Sequence, residues 1–222
     1  MNNRETIVEL VDITLTGNSG ETVFDGLNFG LLSGQSALIV GPTGSGKTSL
    51  AEIMVGARRV DAGTVLVFDT MLNPNRVTAL AEIRRRIGGV GGIFDLISYQ
   101  TVSENLTHPL VIRGGRAAAR RATVEKIMGD YGISSHRREM AYNLPRGERV
   151  LVMLARAVIA NQPLVILDEP LAGLDAERAG QVHDRLQRLA LAGHSLVILT
   201  SGGYEFDLPE TNTYHIVNGR LE

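Results

Sequence analysis

The clearest candidate for chemistry is the glycine-rich stretch "GPTGSGKTSL", residues 41–50. It follows the apolar run "SALIV" and precedes a helical pattern, so backbone N–H groups and a helix N-terminus can surround an anion. Lys47 can reach the terminal phosphates of a nucleotide, and the Thr48 hydroxyl can coordinate Mg²⁺. The alternative is a glycine-rich turn that merely joins a strand to a helix. The predicted nucleotide-binding residues of this loop are Gly41, Pro42, Thr43, Gly44, Ser45, Gly46, Lys47, Thr48 and Ser49.

A second candidate lies at the end of the apolar run in "QPLVILDEPLAGLD". A phosphate-loop nucleotidase needs an acidic residue at a strand end near Mg²⁺, and Asp168 suits that role together with Thr48. Glu169 follows directly and can polarise an attacking water as a general base. The alternative is a solvated turn after a strand, which a phosphate loop elsewhere in the chain makes the weaker interpretation.

Composition narrows the function classes. The chain has 222 residues, 44% of them hydrophobic, with 22 Lys and Arg against 24 Asp and Glu, so a large core is possible and a non-specific nucleic-acid partner is not expected. The absence of cysteine excludes disulfides and thiol catalysis. No apolar run approaches the roughly 20 residues of a membrane span, and "MNNRETIVEL" lacks the apolar region of a signal peptide. We therefore expect a cytoplasmic protein whose membrane contact comes through a partner.

Strand and helix patterns alternate along the chain, which predicts an α/β fold. The continuous apolar runs "SALIV", "PLVIL" and "SLVIL" are typical of strands buried in a mainly parallel sheet. "TIVELVDITL" and "VFDGLNFGLL" predict an antiparallel N-terminal β portion joined through "GNSGE". Residues 98–160 show helical patterns and no convincing strand. The prediction is one domain, 1–222, with a nucleotide-binding α/β core (1–97 and 161–222) and an inserted helical subdomain (98–160).

The motifs "GPTGSGKTSL", "LARAVIANQPLVILDEP" and "AGLD", in this order and spacing, resemble those of ABC-type ATPases, the nucleotide-binding subunits of ABC transporters. The resemblance covers nearly the whole chain, and "RRRIGGVGG" and "TVSENLTHPL" look most like the branch that serves bacterial cell division and lipoprotein release. It implies ATP and Mg²⁺ as ligands and an integral membrane permease as partner. It also implies a head-to-tail dimer with a second ABC ATPase chain, in which Asp175 matches the D-loop aspartate at the interface.

The segment "LPRGE", residues 144–148, stands where the family has a signature close to Leu-Ser-Gly-Gly. In the family, that signature contacts the γ-phosphate of ATP on the partner chain. Pro145 has neither a hydroxyl nor an N–H group, so Gly147 and Arg146 remain as candidate contacts. A cation at a helix N-terminus opposes the helix dipole unless an anion lies there. Arg146 is predicted either to replace the lost donors to the γ-phosphate or to be a solvated arginine in a decayed motif.

Two further positions depart from the family pattern. Gly92 stands where the family has its Q-loop glutamine, and it has no side chain to order metal or water. Ser201 follows "SLVILT" where the family has a histidine, so a shorter donor would face the γ-phosphate. No aromatic residue lies near residues 15–17, where the family often stacks adenine. Because the residues that hold triphosphate are kept while those that sense the γ-phosphate are mostly replaced, binding should survive better than turnover.

These observations predict the ATP-binding subunit of an ABC transporter or related membrane complex, peripheral on the inner face of the membrane, with reduced or partner-dependent hydrolysis. The main alternative is a non-transporting regulatory module that dimerises with ATP and has little or no hydrolysis. Two other classes explain less of the chain. A soluble ABC protein of DNA repair or translation usually has a coiled-coil insertion or two linked ATPase domains, and a small-molecule kinase leaves "DEP" and the helical subdomain unexplained.

Overall fold

The structure is a computed structural model that describes residues 4–73 and 75–222; residues 1–3 and Pro74, which belong to the predicted core, lie outside this range. Its strands are β1 (Thr6–Thr16), β2 (Thr22–Leu32), β3 (Ser36–Val40), β4 (Ala62–Val67), β5 (Thr70–Met71), β6 (Ile87–Val90), β7 (Leu164–Asp168), β8 (Ser195–Thr200), β9 (Thr211–Val217) and β10 (Arg220–Leu221). Its α-helices are α1 (Lys47–Met54), α2 (Val77–Arg85), α3 (Val102–Arg113), α4 (Ala117–Asp130), α5 (Arg146–Val158) and α6 (Ala176–Leu191).

Two sheets build the molecule. The larger has the order β10-β9-β3-β8-β7-β6, and all its pairings are parallel except that of β10 with β9. The smaller is antiparallel, with the order β2-β1-β4-β5, and residues 17–21 join its first two strands as predicted. Because β3, β7 and β8 lie beside one another and run the same way, their carboxyl ends meet at one edge of the sheet, where α/β folds bind ligands.

The parallel strands separate two hydrophobic cores. Successive residues of a strand point to opposite faces, and in β7 Val165 and Leu167 enter the core shared with α3, α4, α5 and α6. Leu164 and Ile166 enter the other core, between the parallel sheet, α1 and the antiparallel sheet. All four are fully buried. This explains why the central strands read as continuous apolar runs rather than as alternating ones.

Residues 98–160 contain the whole of helices α3, α4 and α5, in agreement with the helical patterns of the sequence. Helix α3 begins with a capping box, in which the Thr101 hydroxyl accepts from the Glu104 N–H and the Glu104 carboxylate accepts from the Thr101 N–H. Helix α5 packs its buried face against β6 and thus against the parallel sheet. The signature segment is therefore fixed to the sheet through the body of this helix.

Strand β6 was not among the strands predicted from the sequence. It reads "IGGV", and two glycines weaken any strand pattern. A Cβ atom at Gly88 would lie 1.9 Å from the Ala157 carbonyl oxygen, so the glycine is needed for the close approach of α5 to the sheet. Packing between two distant segments thus decides this strand.

No helix within residues 4–73 and 75–222 has the length and the apolar character required to span a bilayer.

Candidate nucleotide-binding and catalytic site

The phosphate loop joins β3 to α1. Gly46 precedes the helix in the left-handed region of backbone space, at φ 97°, and no side chain of the described residues caps the first turn of α1. The first N–H groups of a helix have no intrahelical acceptors, and the helix dipole adds partial positive charge there. The start of α1 is therefore suited to an anion such as a phosphate.

Lys47 is buried, with 6% of its surface exposed, and its ammonium group is held by the loop itself. Its Nζ donates to the Gly41 carbonyl at 2.7 Å and to the Pro42 carbonyl at 3.0 Å. It also lies 3.4 Å from the Glu169 carboxylate. The lysine is thus extended along the loop, and its charge lies beside the candidate base.

Asp168 ends β7 with 7% of its surface exposed, and the Thr48 hydroxyl donates to its Oδ2 at 2.7 Å. Burial raises the pKa of the Asp168 carboxyl above its ordinary value, and the hydrogen bond from Thr48, which favours the carboxylate, opposes that shift. A divalent cation beside this pair would favour the ionised carboxylate. One hydroxyl and one carboxylate oxygen are hard ligands of the kind that Mg²⁺ accepts alongside phosphates and water, so the residues present fit the predicted metal site.

Glu169 follows Asp168 in the left-handed region, at φ 52°, a conformation that costs a non-glycine residue about 1–2 kcal/mol. Its N–H donates to the Leu199 carbonyl at 2.9 Å, which ties it to β8. Its carboxylate accepts a hydrogen bond from the Ser201 hydroxyl and lies 3.5 Å from the Thr200 hydroxyl. Ser201, predicted as a nucleotide contact, therefore bonds the candidate base in this structure.

These groups line one open cleft of about 830 Å³. The loop residues Thr43, Gly44, Gly46, Lys47, Thr48 and Ser49 meet Asp168, Glu169 and Ser201 there. Gly41 and Pro42 contribute the carbonyls that hold Lys47, and the Ser45 hydroxyl is buried without a hydrogen-bond partner in the described structure. Further lining residues, which sequence reasoning missed, are Gly17, Asn18, Ser19, Glu21, Val23, Arg58, Ala172, Gly202 and Tyr204.

Some of these unpredicted lining residues could have been identified from the sequence, and others could not. Asn18, Ser19 and Glu21 belong to the turn between β1 and β2, so recognising that this turn faces the phosphate loop would have pointed to them. They follow residues 15–17, where the sequence has no aromatic residue to stack on adenine. Arg58 donates to the Ser49 hydroxyl at 3.1 Å, and Tyr204 lies in the segment after β8. No motif marks either of the last two.

Gly92 lies directly against the candidate metal ligand. Its φ is 50°, and a Cβ atom there would lie 2.7 Å from Asp168 Oδ2. The fold therefore requires glycine at position 92, where the family has glutamine, because a side chain there would strain the backbone and clash with the Asp168 carboxylate. Introducing a glutamine at Gly92 would not by itself recreate the Q-loop of the family.

We expect Gly92→Ala to destabilise the protein by about 1–2 kcal/mol, because alanine is strained at this φ, and to weaken Mg²⁺-dependent ATP binding by displacing Asp168. Gly180→Ala is the matched control, since Gly180 is an exposed helical glycine in α6 with open space around it. That change should be neutral or stabilise by up to about 1 kcal/mol. Thermal unfolding with and without Mg²⁺-ATP measures both effects. Equal melting temperatures without ligand would contradict the backbone strain at Gly92, and equal stabilisation by Mg²⁺-ATP would contradict the close contact with Asp168.

The signature segment lies beside the cleft without lining it. Pro145 precedes α5 as its N-cap residue, and Arg146 and Gly147 form the first turn of the helix. Arg146 Nε donates to the Ala172 carbonyl at 2.6 Å, so this arginine is not merely solvated. Asp175, predicted at a chain interface, caps α6 by accepting from the Arg178 N–H at 2.8 Å. In the described structure, the ATP cleft of the same chain is not lined by Arg146, Gly147 or Asp175, the three residues predicted to contact a partner chain.

Comparison with known proteins agrees with this architecture. The family model of the ABC transporter matches residues 24–172. The lipoprotein-releasing system ATP-binding protein LolD of Geobacter metallireducens is 31% identical over 200 residues, which cover 88% of this chain and 89% of LolD. The cell division ATP-binding protein FtsE of Mycobacterium tuberculosis is 29% identical over 205 residues, covering 92% and 89% of the two chains. A dimeric post-hydrolysis structure of the ATP-binding cassette MJ0796, bound to ADP and Pi, has a TM-score of 0.86 at 25% identity, with 97% of each chain covered.

The phosphate loop, the acidic strand end and the shared fold define a P-loop ATPase. The chain belongs to the ABC transporter family, and it is an ATP-binding ATPase of the ABC type. The resemblance predicted from the sequence is confirmed, including its similarity to the cell-division and lipoprotein-release branch. The predicted α/β fold, with its antiparallel N-terminal sheet, is confirmed as well. The predicted partners are a second ATPase chain and a permease, and they agree with the dimeric state of the MJ0796 cassette that is 25% identical and with the transport-system name of LolD.

Proposed function

We propose that this chain is the subunit of a membrane transport complex that binds Mg²⁺-ATP and hydrolyses it slowly or only with its partners. The observation that carries the proposal is the convergence of Lys47, Thr48, Asp168 and Glu169 in one open cleft at the carboxyl ends of the parallel strands. Each of these residues has a chemical role in phosphoryl transfer to water, and they come from two segments about 120 residues apart along the chain.

Binding of the triphosphate would start from the arrangement of the loop. Phosphate oxygens at the start of α1 offer Lys47 Nζ a stronger partner than the Gly41 and Pro42 carbonyls, because both groups are charged. Thr48 and Asp168 would hold Mg²⁺, which neutralises developing charge on the phosphates when bound. Lys47 then turns from Glu169 to the nucleotide, which leaves the Glu169 carboxylate free to take a proton from water.

The proposal of slow turnover rests on the replaced residues around this carboxylate. Ser201 already donates to Glu169, so its single hydroxyl cannot also direct that proton to a γ-phosphate. Gly92 offers only backbone beside Asp168. Fewer side chains therefore surround the attacking water than in the family pattern, and residues that act as one catalytic unit lose activity together.

The same proposal includes a second ATPase chain. Neither Gly147 nor Asp175 lines the cleft of its own chain, as expected for residues that act across a dimer interface. In a head-to-tail dimer the start of α5 would face the ATP of the partner. The complex would sit on the cytoplasmic face of the membrane through its permease. The division into an ATP-binding core, 1–97 and 161–222, and a helical subdomain, 98–160, is part of this proposal.

A regulatory module that dimerises with ATP and has little or no hydrolysis is the second candidate. It is favoured by one observation, namely that Pro145 supplies no donor at the start of α5, where the family reads the γ-phosphate. Such a protein would keep the binding residues and lose the coupling between γ-phosphate and turnover.

The decisive experiment is to purify the chain with its membrane partner from its own cells and to compare ATP hydrolysis by the complex and by the isolated chain. We expect the complex to contain a multi-span membrane protein and to hydrolyse ATP faster than the chain alone. ATP-driven dimerisation without hydrolysis, and without a membrane partner that stimulates it, would replace the transporter by the regulatory module.

A further inference from the structure

We infer that Arg146 is a positioning residue that acts within its own chain, where it holds the loop between β7 and α6 and, through that loop, the candidate base Glu169. This inference rests on the proposed role of Glu169 for its catalytic part only. The start of α5 contacts residues 169–175, which we call the β7–α6 loop, and these contacts do not depend on the role of Glu169. The family signature has glycine at the position of Arg146, so the contact is a feature of this chain.

The first contact joins Arg146 to the middle of the loop. Its Nε donates to the Ala172 carbonyl at 2.6 Å. The next residue, Gly173, has a φ of 69°, and a Cβ atom there would lie 3.2 Å from Arg146 Nε. The guanidinium thus lies close to the backbone of both residues. A hydrogen bond from a charged donor to a backbone acceptor is among the stronger ones in proteins, and it limits the conformations that the loop can adopt.

The loop passes this restraint to the candidate base. The Ala172 N–H donates to the Glu169 carbonyl at 3.3 Å, and the Leu174 N–H donates to the Leu171 carbonyl at 3.2 Å. Arg146 and Glu169 are therefore bonded to the two sides of the same residue, Ala172. Because Glu169 has a strained left-handed backbone, its conformation persists only while neighbouring contacts hold it. Loss of the contact to Ala172 removes one of them.

A second pair of contacts joins the same two segments. Glu148 of α5 and Arg178 of α6 form an ion pair, and the aliphatic part of Arg178 packs on Gly147, where a Cβ atom would lie 3.0 Å from Cγ. The Arg178 N–H is in turn bound by the Asp175 side chain. The start of α5 is thus linked to the start of α6 through Arg178, which follows the loop, whereas Arg146 binds inside the loop, at Ala172.

Electrostatics explains why an arginine is tolerated at the start of a helix. The helix dipole disfavours a cation there, but Arg146 borders a cavity of about 370 Å³ that Asp168 and Glu169 also line. These carboxylates and the Ala172 carbonyl provide negative charge and partial negative charge on the side of the loop. Arg146 thus binds inside its own chain, in contrast to both sequence-based alternatives, a donor to the partner's γ-phosphate and a solvated side chain.

Hydrogen exchange of the nucleotide-free protein tests the structural part. In Arg146→Ala, the amide hydrogens of Ala172 and Leu174 should exchange about three- to tenfold faster than in the wild type. This increase is at the low end of what the loss of a charged hydrogen bond causes, because Arg146 is exposed to solvent. Arg146→Lys keeps the charge but lacks Nε, so it should restore protection only in part. Arg137→Ala, which breaks an exposed ion pair with Glu125, is the control and should leave both amides unchanged. Unchanged exchange in Arg146→Ala would overturn the inference.

Kinetics tests the catalytic part in the ATPase complex. A positioning role predicts that Arg146→Ala lowers kcat about three- to tenfold while KM for ATP changes less than twofold, with partial recovery in Arg146→Lys. A donor to the partner's phosphate would instead weaken ATP-driven dimerisation and leave loop exchange unchanged, which would refute a role within the chain. If Arg146→Ala speeds amide exchange in the loop but the wild-type complex does not hydrolyse ATP, the loop contact is supported and the proposed ATPase function is refuted.

Discussion

Replacing Glu169 by glutamine is expected to lower the rate of ATP hydrolysis by a factor of about 10²–10⁴, the usual contribution of a general base. Glutamine keeps the shape of the side chain and can still accept the hydrogen bond from Ser201, but it cannot take a proton from water. It also removes the charge that lies 3.4 Å from Lys47, so ATP affinity should not fall. Phosphate release at saturating Mg²⁺-ATP and calorimetric titration with ATP measure the two effects.

Glu177→Gln is the matched control for this substitution, because Glu177 is exposed in the first turn of α6, outside the cleft. Its hydrolysis rate should equal that of the wild type. The Glu169→Gln protein should also accumulate ATP-bound dimers, since binding continues while turnover stops. A turnover in Glu169→Gln as fast as in the wild type, measured above background, would exclude this residue as the base.

Replacing Lys47 by alanine is expected to weaken Mg²⁺-ATP binding by a factor of about 10–100, the loss of one hydrogen-bonded charge contact. The side chain is buried and lies across the phosphate loop, so no neighbouring cation of the cleft replaces it directly. Arg58, the other basic residue of the cleft in the described structure, is bound to Ser49 and Glu52. Calorimetric titration of both proteins gives the ratio of dissociation constants.

Lys126 provides the control, because it is the only other lysine of the chain and lies exposed on α4 beside Asp130. Lys126→Ala should bind Mg²⁺-ATP as tightly as the wild type. Circular dichroism should confirm that Lys47→Ala remains folded, since the Gly41 and Pro42 carbonyls lose their donor. Equal affinities of Lys47→Ala and the wild type would remove the assignment of the phosphate loop.

The main parts of the fold and site were predictable because local sequence encodes them. A phosphate loop needs glycines, a lysine and a hydroxyl at set spacing between a strand and a helix, and all of these are adjacent in the chain. The buried central strands were predictable because both faces are covered, which requires continuous apolar runs such as "LVIL" in β7. The antiparallel pair followed from alternation and a polar turn.

Contacts between distant segments were not predictable in this way. Strand β6 has too weak a pattern of its own, and its pairing with β7 and its contact with α5 decide its conformation. From the sequence, Gly92 was interpreted only as the loss of the family's glutamine side chain, whereas in the structure its backbone lies against Asp168. Ser201 was expected to face a phosphate, and its hydroxyl instead bonds Glu169.

The amino-acid sequence alone was enough to predict the class of chemistry, the candidate triphosphate-binding residues and the family, because each prediction depends on residue types at fixed spacing in continuous segments. The tertiary structure decided where Arg146 binds. The sequence suggested two partners for Arg146, the γ-phosphate of ATP on another chain or the solvent. Neither suggestion included Ala172, which lies 26 positions further along the chain. Folding brings the start of α5 next to the β7–α6 loop, and the 2.6 Å bond from Arg146 to the Ala172 carbonyl exists only because the two segments, both anchored to the parallel sheet, meet there.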